Sequence, residues 1–123
     1  MASEMLPTQN IEIEQKDTLV VVTVRTSQLA VTEVQELVDE LRRRLRYHNA
    51  HQFLLDMEGV EFMSSACLGS LVDLLCDLEH IRGRIVLANC HSNVAFIFKV
   101  TRLHELFSIY ENVEEALLAL KHV

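Results

Sequence analysis

Apolar and polar residues alternate from Ile11 to Gln15, Lys16-Asp17 offers a turn, and Thr18 to Val24 is rich in β-branched residues. That pattern predicts a β-hairpin. The period then changes: Val34, Leu37, Val38, Leu41 and Leu45 recur at helical spacing, with Thr32 and Gln35 in capping-box order, so an amphipathic helix is expected to end near Arg46. Glu33 and Glu36 early in it, and arginines late, follow the sign of the helix dipole. Phe53 to Asp56 is short and apolar, as a buried central strand requires, and Ser64 to Glu79 is helical through Leu68, Leu71, Val72, Leu75 and Leu78. Gly83 breaks that period, and Arg84 to Ala88 reads as another buried strand. Ser92 or Asn93 caps a short helix reaching Val100, Phe107 to Tyr110 forms a last strand, and Asn112 with Glu115 caps a C-terminal helix. Alternating strands and helices on short connections predict one small layered α/β domain over residues 1–123, its parallel strands joined by right-handed crossovers. Residues 1–10 read as a flexible N-terminal segment.

Half of the 123 residues are apolar, enough to bury a core without metal or disulfide staples. Eleven basic residues against eighteen acidic ones give a net charge of −7, which disfavours a nucleic-acid partner. The one basic cluster, Arg42, Arg43, Arg44 and Arg46, reads as a solvated helix terminus. Cys67, Cys76 and Cys90 lack C-x-x-C pairing and fit free thiols in a reducing cytosol. With no signal-peptide pattern and no apolar run approaching ~18 residues, a cytoplasmic protein without membrane insertion is expected.

Candidate chemistry is sparse. Gly59, Gly69 and Gly83 stand in neither P-loop nor dinucleotide spacing. Asp56, at a strand end without the acidic companions of a phosphate-accepting aspartate, is expected to accept hydrogen bonds at a strand-loop junction. His48 and His51 share a spacing but no metal motif, and His80, His91, His104 and His122 are scattered. Cys67 has no histidine close in sequence and reads as buried and inert. No catalytic residue, metal or cofactor is therefore expected. Ala95-Phe96-Ile97-Phe98 is too continuous for one helix face; core packing is the favoured reading, with exposure to a partner as the alternative. The distinctive feature is Phe62 to Gly69, which places Ser64 and Ser65 where a loop enters a helix. N-capping is the favoured reading on composition and explains one serine; phosphate on Ser65, stabilised by the helix N-terminus, is the alternative. On that helix Ser70, Asp73, Leu74 and Asp77 fall opposite the apolar stripe, a partner-facing side on which Leu74 is the apolar residue out of place.

The segment Leu54 to Gly69 resembles the central part of STAS domains, the family of sulfate-transporter tails and anti-sigma factor antagonists. The likeness continues through Gly83 to Ala88, Thr101 to Phe107 and Val113 to Leu117. Before Phe53 only the pattern matches, with Thr26-Ser27-Gln28-Leu29 where family members commonly carry a glycine-containing turn. In the antagonist branch the motif reads Asp-Ser-x-Gly-Leu-Gly, and its serine is phosphorylated by a partner that is both kinase and anti-sigma factor. Ser65 occupies that serine's position, while Ser64 replaces the aspartate and Cys67 the first glycine. The resemblance implies a mixed, mostly parallel sheet flanked by about four helices. It also implies phosphorylation at Ser65, with Ser64 as the lesser candidate, and partner binding through Met63, Ser64, Ser65, Ser70, Asp73, Leu74 and Asp77. The partner implied is an anti-sigma factor with serine-kinase activity in a bacterial cytoplasm, a homodimer being left open. A constitutive scaffold or transporter-associated STAS module is the alternative.

Overall fold

The computed structural model describes residues 4–6 and 10–121. Strands β2 (Ile11–Lys16) and β3 (Leu19–Val24) form the expected antiparallel hairpin, with Ile13 opposite Val22. β1 (Glu4–Met5) pairs antiparallel with β2, and Leu6 beside it is buried. These residues lie within the segment expected to be flexible; residues 1–3 and 7–9 of that segment lie outside the described residues. β4 (Gln28–Leu29) leads into helix α1 (Val31–Tyr47), followed by β5 (Gln52–Asp56), β6 (Phe62–Met63) and α2 (Ala66–Glu79). β7 (Arg84–Ala88), α3 (Ser92–Val100), a 3₁₀ turn (Leu103–Glu105), β8 (Ser108–Tyr110) and α4 (Val113–Lys121) complete the chain.

The main sheet has six strands in the order β1-β2-β3-β5-β7-β8. β5 pairs parallel with both β3 and β7, and β8 is parallel to β7, so the sheet is mixed and mostly parallel. Its central strands are apolar on both faces because helices cover both. Phe53, Leu55, Ile85 and Leu87 join residues of α1, α2 and α3 in the larger core, whereas Leu54, Val86 and Ala88 meet Ala116 and Leu120 of α4. Phe98 of α3 stands edge-on to Phe107, ring centroids 5.6 Å apart, a favourable aromatic geometry. Gly83 is required by contact: a Cβ there would lie 2.8 Å from the His51 carbonyl oxygen and 2.5 Å from Leu78 Cδ2.

Two helix caps differ in detail from the pattern reading, and a third agrees with it. α1 starts before Thr32, and the Glu33 carboxylate accepts from the Ala30 amide at 3.0 Å. At α3 the His91 ring, through Nδ1, accepts from the Asn93 amide at 3.2 Å, so neither Ser92 nor Asn93 is the cap. At α4 Asn112 accepts from the Glu115 amide at 2.8 Å, as expected.

The arginine cluster is not simply solvated. Arg44 is buried, pairing with Glu40 at 2.8 Å and Glu4 at 3.1 Å, while Arg42 bridges to Asp77 of α2 at 2.9 Å. The Arg43 hydrogen bond, opposed by burial and assisted by Arg44, holds the Glu40 carboxyl below its ordinary value of 4.5. An unfolded chain therefore takes up this proton more readily, so the stabilisation is present above pH 4.5 and fades as pH falls through the lowered folded value. Urea melts across that acid window are expected to show a shallower loss of stability for Glu40→Gln than for the native chain. Equal slopes would mean that the Glu40 network adds nothing to acid sensitivity.

Candidate functional site

The chain leaves β5 through Asp56, whose Oδ1 accepts from the Glu58 amide at 3.2 Å and the Asn89 side-chain amide at 3.1 Å. This is the junction role expected of it. Met57 and Val60 are buried beneath the following loop, and the Met57 amide donates to the Ala88 carbonyl at 2.9 Å. A Cβ on Gly59 would sit 2.9 Å from the Val24 carbonyl oxygen, so the loop lies tight against the end of β3. The amides of Glu61 and Phe62 both donate to the Ser27 carbonyl, and β6 pairs parallel with β4 in a small separate sheet. The loop is thus held at several points before it presents Ser64 and Ser65, both exposed.

Neither hydroxyl caps α2. Ser65 is the N-cap residue but has helical backbone angles, φ −62° and ψ −23°, and makes no side-chain capping bond. A capping serine needs an extended backbone for its oxygen to fold back onto the first amides. The Ser64 hydroxyl instead lies 3.7 Å from Cys67 Sγ, and that thiol donates to the Leu29 carbonyl at 3.5 Å. Cys67 is fully buried and ties the start of α2 to β4. The favoured capping reading of the serines is therefore corrected: the Ser65 hydroxyl faces solvent at a helix N-terminus without a capping task. No lysine or arginine occurs between Arg46 and Arg82, whereas Asp56, Glu58, Glu61, Asp73, Asp77 and Glu79 do. An open groove of about 520 Å³, lined by residues 28–31 and 62–64, runs beside Ser64. Phe62 and Val31 project there half-exposed.

The expected partner side of α2 is only partly on the surface. Asp73 and Asp77 are exposed, Asp77 being paired with Arg42, and Ser70 is half-buried, accepting from the Gln35 side-chain amide at 2.8 Å. Leu74 is fully buried and Met63 nearly so, which removes both from a directly accessible surface. α2 packs against α1 as well as under the sheet, so its buried stripe widens to Cys67, Leu68, Leu71, Leu74, Leu75 and Leu78. Val72, expected inside, is half-exposed. Phe62 was missed as a surface residue, although alternation with Met63 in a two-residue strand would have placed one of them outward.

Of the cysteines, only Cys76 is exposed; Cys90 is half-buried, and burial, with the charge of Asp56 adding, pushes its thiol up to about 11. A thiol reagent at neutral pH is expected to modify one cysteine rapidly, at Cys76, with the others following only on denaturation. Rapid labelling of Cys67 in native protein would contradict the packing at the start of α2.

The architecture is that of a small α/β domain, a mixed, mostly parallel sheet with helices on both faces, and an exposed serine pair stands at the start of its second helix. The STAS domain profile matches residues 10–116, and the chain belongs to the STAS family. Among solved structures it is similar to the anti-sigma factor antagonist SpoIIAA of Bacillus in its unphosphorylated form: 19% identity and a TM-score of 0.80, covering 92% of this chain and 97% of that one. The phosphorylated form of SpoIIAA also matches, with a TM-score of 0.71, 19% identity and coverage of 89% and 98%. An anti-sigma factor antagonist domain protein from Planctomyces limnophilus is 24% identical, with a TM-score of 0.78 and coverage of 90% and 97%. The murine anion transporter Slc26a9 is 17% identical with a TM-score of 0.71, the match spanning 98% of this chain and 22% of the transporter. At these identities the likeness is one of fold. No helix among the described residues is long and apolar enough to cross a membrane.

Proposed function

We propose that the chain is an anti-sigma factor antagonist: a non-catalytic binding switch that captures an anti-sigma factor with serine-kinase activity. Phosphorylation of Ser65 by that partner ends the capture, so the unmodified form frees a sigma factor for transcription in a bacterial cytoplasm. The observation that carries this reading is the exposed Ser65 hydroxyl, set at a helix N-terminus and not engaged as a cap. The helix dipole there favours a phosphate, the Cys67 and Leu68 amides themselves being bonded to the Ser64 and Ser65 carbonyls, while the acidic surroundings offer it no neighbouring cation within its own segment. The proposed contact surface comprises Ser64 and Ser65 together with Ser70, Asp73 and Asp77 of α2, with Phe62 added. Met63 and Leu74 support it from beneath.

A second reading, a constitutive module of a transport or signalling assembly, draws on the fold shared with Slc26a9 and on the replacement of the motif aspartate and glycine by Ser64 and Cys67. Affinity isolation from the native cell, with mass spectrometry of the bait, separates the two. The switch predicts phosphate on Ser65 and recovery of a serine kinase that is released by phosphorylation. Recovery of permease or ATPase subunits with both serines unmodified would displace it in favour of the module.

A further inference from the structure

Ser64 and Cys67, the two places where the chain departs from the antagonist motif, touch each other. The Ser64 hydroxyl lies 3.7 Å from Cys67 Sγ, and that Sγ lies 3.5 Å from the Leu29 carbonyl oxygen. A carbonyl only accepts, so the single thiol hydrogen is engaged with Leu29, and the Ser64 hydroxyl must be the donor to sulfur. Ser64 is thereby bound twice to the same residue, since its carbonyl also accepts from the Cys67 amide at 3.1 Å. Leu29 in turn lies opposite Met63 in the β4–β6 pair, which fixes the far end of this hydrogen-bonded chain. Ser65, next in sequence, makes no side-chain capping bond. Both serines are exposed, so exposure does not choose between them. Hydrogen bonding does.

We propose that Cys67 is a positioning residue that selects Ser65 over Ser64 as the phosphate acceptor, an inference that rests on the phosphorylation reading above. In the transfer the acceptor oxygen forms a bond to the γ-phosphorus of a nucleoside triphosphate held by the kinase. The bond from that phosphorus to the β-phosphate oxygen breaks, a nucleoside diphosphate leaves, and the hydroxyl proton passes to a base of the kinase. Ser65 offers its oxygen with the proton free to leave. Ser64 must first give up its bond to sulfur, and once phosphorylated it would turn acceptor oxygens toward a thiol whose one hydrogen is already engaged. The serine that replaces the motif aspartate is thus kept from competing by the cysteine that replaces the glycine.

The test isolates the native chain, Cys67→Ala and Cys67→Val from the native cell and compares phosphate on the two serines by fragmentation mass spectrometry. Valine fills the space of the thiol without its hydrogen, so if circular dichroism shows that the cavity in Cys67→Ala costs the fold, Cys67→Val decides. The ratio of Ser65 to Ser64 phosphate is expected to fall by about threefold to tenfold in both variants, the range that one hydrogen bond supports. Proton couplings between Hα and Hβ read the positioning without any kinase: Ser64 is expected in one χ1 rotamer in the native chain and averaged in both variants, with Ser65 averaged throughout. Ser64 couplings already averaged in the native chain overturn the proposal. A ratio that stays fixed in the folded variants while Ser65 is phosphorylated removes the selection and leaves the switch standing, whereas phosphate on neither serine removes both.

Discussion

Phosphate on Ser65 is expected to weaken binding to the kinase partner about a hundredfold, a change of ~2.7 kcal/mol. The added group carries roughly −1.5 to −2 charges at neutral pH. Within the domain that charge sits at the N-terminus of α2, where the dipole favours it by typically ~0.3–1 kcal/mol, so the fold should persist. Its backbone frame is also well held: the preceding loop is anchored to Ser27, Ala88 and the end of β3, and Cys67 locks the first turn to β4. At an interface the same group must shed water, and with no lysine or arginine between Arg46 and Arg82 it meets any acidic partner surface or bound nucleotide phosphate unshielded by its own segment. Like-charge contacts of that kind can cost several kcal/mol. Calorimetry with unmodified protein, Ser65→Ala and genuine phospho-Ser65 measures the effect directly. Ser65→Ala should bind like the unmodified chain, because its hydroxyl makes no capping bond to lose. Equal affinities for the unmodified and phosphorylated forms, with unchanged circular dichroism, would remove the switch.

Leu74→Ala is expected to destabilise the domain by ~3 kcal/mol through the cavity it leaves. For a chain of this size that corresponds to a melting temperature lowered by about 10 °C. The side chain is fully buried where α2 faces α1 and the sheet, among the largest enclosed groups of the core. Asp73→Lys, one residue earlier and exposed, should change stability by no more than ~0.5 kcal/mol. The pair separates two meanings of a lost interaction: Asp73→Lys tests the proposed contact surface with the fold intact, whereas Leu74 variants report on the core. A melting temperature for Leu74→Ala within a degree or two of the native value would show that α2 is rotated from the orientation described.

Periodicity in the chain was sufficient for the elements that are long or buried on both sides. The β2–β3 hairpin, the two-sided apolar strands β5 and β7, the α1 and α2 periods and the Asn112 cap all follow from local rules, as does the placement of Ser65 where a loop meets a helix. Resemblance of the segment around that serine to STAS domains then indicated the family that the profile match establishes. Other features needed the assembled structure. A helical period states which residues share a face, but not how wide a face its neighbours will cover; because α2 touches α1 as well as the core beneath the sheet, Leu74 went inside and Val72 partly out. The β4–β6 pairing joins two-residue strands, too short to carry a period of their own. Arg44 is buried because carboxylates from α1 and the N-terminal strand converge on it, and only tertiary contact brings Glu4 there. In α3 the same run of apolar side chains was divided by packing, Phe98 against Phe107 and Phe96 into solvent, since one face of a short helix is covered by the core while no described residue folds over Phe96 on the other.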